Sequence, residues 1–351
     1  MRRGLIARSL DELPDAALDA RLERVRAGMR AASLDALIVY TNNTRPAGVS
    51  WLTGFVPYWS EALLVLPRDG DPVLVVALTF RVKTWIERTS RVADVIHTPR
   101  IGLEAGRRIA AARSDAAVGI VDFDNLSVGI AEDLQDGGPR LVLRDASVLF
   151  ARARAVADPT EIALATKAAS IARHALAQIR HDEADLGHML AAAEATARQH
   201  GAEEIYLAAA PDLAIDHRLR RIEGEIARGV SFAVRASVAY KGSWVRMVRT
   251  IGSGKAASEA AVAQFAAAVG GLPSSRGFGN FTTWAVEGCR LTQPLELLMA
   301  SGVAPPISLW PSLVSIQARI DIDGTPVLVG VPALLGQNGE ATQLLASPNF
   351  D

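Results

Sequence analysis

From Asp15 to Ser33 apolar residues return at helical spacing, with Leu18, Leu22, Val25 and Met29 on one face. Short apolar runs follow: DALIVY at 35–40, EALLVL at 61–66, PVLVVAL at 72–78, AVGIV at 117–121 and RLVLR at 140–144. Helical patterns lie between them at 103–114 and 126–135. Strands alternating with helices predict an α/β layer domain over residues 1–155. No GxGxxG follows the first strand, which argues against a dinucleotide site.

The pattern changes at Asp158-Pro159-Thr160-Glu161. An acid, a proline and a second acid at these spacings predict a helix start, with Asp158 as cap and Pro159 in the first turn. Helical patterns cover 159–181 and 184–200. Strand-like runs then dominate, at 204–210, 230–240, 243–251, 312–321 and 325–331, around an Ala-rich helix at 254–269. Two helices followed by many strands predict an α+β domain over 156–351.

The run VSFAVRASVAYKGSWVRMVRTIG (230–252) reads as two strands joined by a turn at Lys241-Gly242. Strand alternation sends Arg235 and Arg246 to one face and their neighbours Val234, Ala236, Val245 and Met247 to the other. Inward guanidiniums need an anion, because unpaired buried charge is expensive. Two readings stand side by side. The arginines capture a ligand carboxylate or phosphate, or they pair internally with Glu223, Glu225 or Glu287. Arg249 fits either arrangement.

Composition narrows the function classes. The chain has 351 residues, of which 50% are hydrophobic, so a large core is available. With 37 basic and 38 acidic residues the net charge is −1, which gives no support for nucleic-acid binding. The single cysteine, Cys289, excludes an internal disulfide and any multi-cysteine metal site, and fits a reducing cytoplasm. The basic N-terminal stretch has too short an apolar run for a signal peptide, and no window predicts a membrane span. GSGKAA (252–257) lacks the upstream glycine and the Ser/Thr of a phosphate loop. His97, His174, His181, His188 and His200 show no ligand spacing and read as solvated.

Several motifs coincide in order and spacing. RLERVRAGMRAASLDALIVY (21–40) with WLTGF (51–55), DPTEIALATKAASIA (158–172), APDLAIDH (210–217) and YKGSWVRMVRT (240–250) together resemble the creatinase / aminopeptidase P (pita-bread) family. The resemblance implies an α/β N-terminal creatinase-like domain, then an α+β pita-bread domain shortened near 256–283. It also implies a homodimer in which Arg45 and Trp59 are loop candidates for reaching the partner's site.

Metal-dependent members hold two ions with two Asp, one His and two Glu, which activate water and polarise a carbonyl. By position the two Asp fall here on Arg235 and Arg246, the His near Ala285, the first Glu on Gln317 and the last near Gly330. A further family histidine falls on Thr292, before Gln293-Pro294. None of these is a metal ligand, so no metal and no cofactor are expected. The active-site histidine position is kept as His217 and the arginine that closes the hairpin motif as Arg249. Creatinase itself works without metal through such a histidine, which titrates near neutrality and can take and return a proton.

The first expectation is therefore a metal-independent C–N hydrolase, lyase or isomerase acting on a small anionic metabolite. His217 would be catalytic, and Arg235, Arg246, Arg249, Thr292, Gln293 and Gln317 would bind substrate. The alternative is an inactive pseudopeptidase that holds a peptide, metabolite or partner protein, with the neutral residues as fillers of an emptied cavity.

Overall fold

The structure is a computed structural model and describes residues 8–57, 59–272, 278–279, 281–302, 311–336 and 340–350. The chain forms two compact units. Residues Met1–Thr160 and the distant segment Cys289–Pro294 make the first, and Glu161–Gly288 with Leu295–Asp351 make the second. The sequence reading, which drew its boundary at 155/156, did not separate the 289–294 segment from the second domain.

The first unit is an α/β layer. Its strands are β1 (Ala36–Thr41), β2 (Ala62–Pro67), β3 (Val73–Val76), β4 (Asp94–His97), β5 (Ala117–Val121) and β6 (Val142–Asp145), in the order β4-β3-β2-β1-β5-β6. β1, β2 and β3 pair antiparallel, whereas β1–β5, β3–β4 and β5–β6 are parallel. Its helices are α1 (Asp15–Ala31), α2 (Ala47–Thr53), α3 (Lys83–Thr89), α4 (Ile101–Ala112), α5 (Val128–Gly137) and α6 (Ser147–Arg154).

The central runs are apolar at every position because both faces of the sheet are covered. Leu37, Val39, Leu64 and Leu66 meet Leu22, Val25 and Met29 of α1. The alternate residues Ile38, Leu63 and Val65 meet Ile101, Ala105 and Ile109 of α4. Helices α4 and α5 approach at backbone distance: a Cβ on Gly106 would lie 2.3 Å from the Leu134 carbonyl oxygen. β4 was not expected, because ADVIH is short and flanked by polar residues.

The second unit contains α7 (Pro159–Ala177, beginning in the first unit's last residues), α8 (Leu186–Gln199) and α9 (Lys255–Gly270). Its strands are β7 (Glu204–Ala210), β8 (Phe232–Tyr240), β9 (Ser243–Ile251), β10 (Thr283–Gly288), β11 (Glu296–Ala300), β12 (Leu313–Ile322), β13 (Thr325–Leu334) and β14 (Gln343–Leu344). The sheet order is β11-β10-β12-β13-β9-β8-β7, with β14 on β13, and every pairing is antiparallel.

One sheet face carries the core. Val234, Ala236, Val238, Val245, Met247, Ile316 and Ile320 pack with Ile171, Leu176, Met189 and Phe265 of the helices. The fully buried Phe232 and Phe265 each contribute about 2–3 kcal/mol of apolar burial. The opposite face bears only a small apolar cluster, including Ala233, Val248 and Leu328, and is where the polar residues gather.

The helix expected over 159–181 stops at Ala177, and β10 and β11 fall in a stretch where no strand was foreseen. The expected shortening near 256–283 lies partly outside the described residues. Among the described residues no helix is long and apolar enough to cross a membrane.

Candidate functional site

The hairpin sets the geometry. Lys241 and Gly242 both have positive φ, 46° and 77°, the mirror-image turn whose twist matches two antiparallel strands. The turn fixes the register, with Arg235 opposite Val248 and Ser237 opposite Arg246. Carried through neighbouring strands, the pairing lines up Ala208, Arg235, Val248, Gly330, Gln317 and Ala285 in one row across the open face. Four of the five positions where the resemblance would put metal ligands stand in that row. The fifth, Arg246, stands one step along.

The two arginines meet different fates. Arg246 forms an ion pair with Glu287, and both side chains are largely buried. Its Nε donates to the Ser237 hydroxyl at 2.9 Å, and its backbone amide donates to Ser315 Oγ at 2.9 Å. Among the described residues Arg235 has no carboxylate against it, and its buried Nε is without a partner. Burial pushes the Arg235 guanidinium below its ordinary range, the like charge of Arg246 adds to this, and Glu287 partly offsets it. Of the two readings left open by the sequence, internal pairing describes Arg246, through Glu287.

Arg235 faces a cleft of about 640 Å³, lined also by His217, Leu219, Thr283, Ala285, Gln317, Arg319 and Leu328. His217 is half-buried and follows the loop after β7. In that loop Asp212 accepts from the Ala214 amide at 2.9 Å, and Asp216 accepts from the Arg218 amide at 3.0 Å. A bridge between Ala209 and Arg220 returns the chain to the sheet. The Arg218 hydrogen bond holds the Asp216 carboxyl below its usual range.

Arg319 Nη1 stands 3.2 Å from His217 Nδ1. An arginine only donates, so Nδ1 accepts and the ring hydrogen sits on Nε2. Asp321 holds Arg319 at 3.1 Å through each of two nitrogens. Burial raises the Asp321 carboxyl, but hydrogen bonds from Thr282 and Arg319 bring it to a net value below the ordinary one. Arg319 escaped the sequence reading. Its signal was available: it lies two residues beyond Gln317 on one strand, hence on the same face.

Gln317 lines the cleft, and its carboxamide nitrogen donates to Glu287 Oε2 at 3.3 Å. The other expected binding residues lie elsewhere. Arg249 is three residues from Arg246 and therefore on the opposite sheet face. There its guanidinium donates to the carbonyls of Leu176 and Ile179 at 2.9 and 3.0 Å and lies 4.7 Å from the Phe350 ring centre. Thr292 and Gln293 belong to the segment that forms part of the first unit. The buried Thr292 hydroxyl donates to Asp122 Oδ2 at 2.6 Å. Arg45, considered for reaching a partner subunit, instead pairs with Asp122 and donates to Asn125 Oδ1 at 2.8 Å. Trp59 is 60% exposed.

The residues present do not fit a two-metal centre. Among the described residues no group of three or more His, Cys, Asp or Glu could hold a metal ion. Arg235 and Arg246 stand at the positions that the resemblance assigns to the two aspartates. At Gly330 even a Cβ would lie 2.9 Å from the Ile316 carbonyl oxygen and 3.0 Å from Val248 Cγ2, so a ligand side chain has no room there. Glu287, at the level of Arg246 in the neighbouring row, is paired with Arg246.

Residues 21–156 match the Creatinase/Prolidase N-terminal domain family. Solved structures of similar fold include prolidase from Pyrococcus furiosus, 16% identical over 92% of this chain and 98% of that one, with TM-score 0.66. X-Pro aminopeptidase from Thermotoga maritima is 14% identical over 93% and 97%, with TM-score 0.70. The N-terminal domain of FACT complex subunit SPT16 from Cicer arietinum is 14% identical over 95% and 97%, with TM-score 0.61. No curated protein sequence matches significantly.

Proposed function

Because the chain is a creatinase/aminopeptidase P-type protein by its N-terminal domain and its pita-bread fold, we propose that it is a metal-independent enzyme acting on a small anionic substrate. The observation that carries this reading is Arg235, which lines the 640 Å³ cleft with its buried Nε unpartnered and no ion pair to a carboxylate among the described residues. Asp216, an acid that also lines the cleft, is held by Arg218 and Arg220. A half-buried unpaired charge is costly unless a ligand completes it. A bound carboxylate or phosphate would do so through charge-assisted hydrogen bonds.

His217 lines the same cleft and is the proton-transfer group in this reading. Arg319 orients it, and Asp321 orients Arg319. With Nδ1 accepting from Arg319, the neutral ring offers a ligand a hydrogen bond from Nε2–H; a proton shuttle at Nε2 requires the ring to take its second proton on Nδ1, in place of the Arg319 contact. C–N hydrolysis, elimination and isomerisation all need such a shuttle, and the cleft chemistry supports the class without choosing among them. The peptidase activities that name two of the similar structures do not suit this chain in this reading, because the positions that the resemblance assigns to metal ligands hold Arg235, Arg246 and Gln317 and fall near Ala285 and Gly330. A homodimer, and a cytoplasmic location in keeping with the single cysteine, are proposed on the resemblance and the composition.

A non-catalytic binding protein is the second reading. The Arg246–Glu287 pair with Gln317 favours it, since the protein's own side chains occupy the rows where reactive groups would stand. Calorimetric titration with acetate, succinate and phosphate identifies the bound anion class. Turnover of a substrate so found should fall at least 100-fold in His217→Ala with binding retained, the effect of a lost general acid/base. Undiminished turnover in His217→Ala removes the catalytic reading and leaves the binding one.

A further inference from the structure

Gln317 stands in the same row of the sheet as Arg235, with one residue each of β9 and β13 between them. Both line the cleft. The Gln317 carboxamide has two different ends, a donor NH2 and an acceptor oxygen, and its chemistry toward a ligand depends on which end faces out. Glu287 decides this. Its Oε1 takes the Arg246 guanidinium, and its Oε2 lies 3.3 Å from Gln317 Nε2. A carboxylate accepts and does not donate, so the nitrogen end must turn toward it. The oxygen end has no hydrogen-bond partner among the described residues and is not among the buried unsatisfied atoms, so it is open to the cleft.

We propose that Glu287, itself anchored by Arg246, holds the Gln317 carbonyl oxygen toward the cleft as an acceptor, so that the cleft selects small anions that also carry an N–H or O–H donor. This rests on the reading that Arg235 binds the anionic group. Arg235 supplies the charge, and Gln317 distinguishes among anions of equal charge. Glu287 is a positioning residue and Gln317 a specificity-determining one. Together they define the ligand as a carboxylate or phosphate with an amide, amine or hydroxyl some distance away. An ester or ketone of the same shape would set its own acceptor oxygen against Gln317 Oε1 and leave both without a hydrogen, the kind of mismatch that discriminates strongly between near-isosteres.

The test is a calorimetric comparison of two near-isosteric probes, succinamate and monomethyl succinate, repeated with glutaramate and monomethyl glutarate to vary the reach. Each carries one carboxylate. Only the amide member donates a hydrogen bond at the other end. The wild-type protein should bind the better amide about ten-fold more tightly than its ester. Gln317→Leu should bring the two to equal affinity. Glu287→Gln leaves Gln317 in place but can present either polar end to it, and should also shrink the ratio while carboxylate binding persists. Arg235→Met should weaken amide and ester alike.

Equal affinity of amide and ester in the wild type, with both lost in Arg235→Met, overturns this inference and leaves the anion reading intact. A preference that survives Glu287→Gln overturns the positioning role. Failure of all four probes to bind overturns the anion reading and this inference with it.

Discussion

Arg235 and Arg246 stand on the same face of adjacent strands, eleven residues apart, yet among the described residues only Arg246 meets a carboxylate. The difference is one of register. Arg246 shares its row with Ser237, and Ser315 and Glu287 pair in the neighbouring strands at the same level. Arg235 shares its row with Val248, Gly330 and Gln317, none of which is charged. Two residues of one type thus differ in their surroundings, one an internal tie and the other a charge without an ion pair among the described residues.

Stability should register that difference. Arg246→Met leaves Glu287 largely buried without its cation and should cost about 2–4 kcal/mol, the usual penalty for breaking a buried pair from one side. Arg235→Met removes an unpaired, partly desolvated charge and its repulsion with Arg246. It should leave stability unchanged or raise it by up to about 1 kcal/mol. Urea unfolding of both variants measures this. Equal destabilisation would show that Arg235 has an internal partner after all.

The hairpin turn carries a pH-sensitive contact. Burial pushes the Glu203 carboxyl up to about 7 from its ordinary value of 4.5, against a lowering by the Gly242 amide that donates to it at 3.2 Å. The folded chain therefore binds a proton that the unfolded chain releases between these values. That contribution to stability is full below about pH 4.5 and is lost as pH rises through about 7. Between pH 5 and pH 8 the loss should be about 2 kcal/mol. Denaturant midpoints of the wild type should fall over this interval relative to Glu203→Gln. Parallel curves for the two proteins would refute the assignment.

In the first unit Asp122 has a left-handed backbone, φ 60°, and its carboxylate receives both Arg45 and the Thr292 hydroxyl. Asp122→Asn keeps a residue type that tolerates this conformation but removes the charge, and should cost about 1–2 kcal/mol. Asp122→Ala should cost about 1 kcal/mol more, since alanine adds backbone strain. Thr292→Val should cost about 1 kcal/mol by leaving one acceptor of Asp122 unmet. Chemical unfolding of the three variants gives the order, and Asp122→Ala as mild as Asp122→Asn would contradict it.

The fold was largely legible because its signals were local. Uninterrupted runs such as EALLVL marked strands covered on both sides, and the Lys241-Gly242 turn fixed a register from which Arg235 and Arg246 could be assigned a face. The same alternation, applied three residues further, would have put Arg249 on the opposite face, and applied two residues beyond Gln317 it would have found Arg319. What could not be read was long-range. The 170-residue separation of Thr292 from Asp122 is bridged by tertiary structure, and no spacing rule shows that residues 289–294 join the first unit. Likewise Glu287 stood as one of three candidate partners, and only the strand pairing singled it out for Arg246.

In the proposed reading Arg235 makes the cleft an anion site that operates without metal. Titration of the purified protein with succinamate in the presence of excess EDTA tests it directly. Binding should persist in EDTA, remain unchanged on adding manganese, zinc or cobalt, and disappear in Arg235→Met. Binding that requires an added dication, or that survives Arg235→Met undiminished, would contradict it.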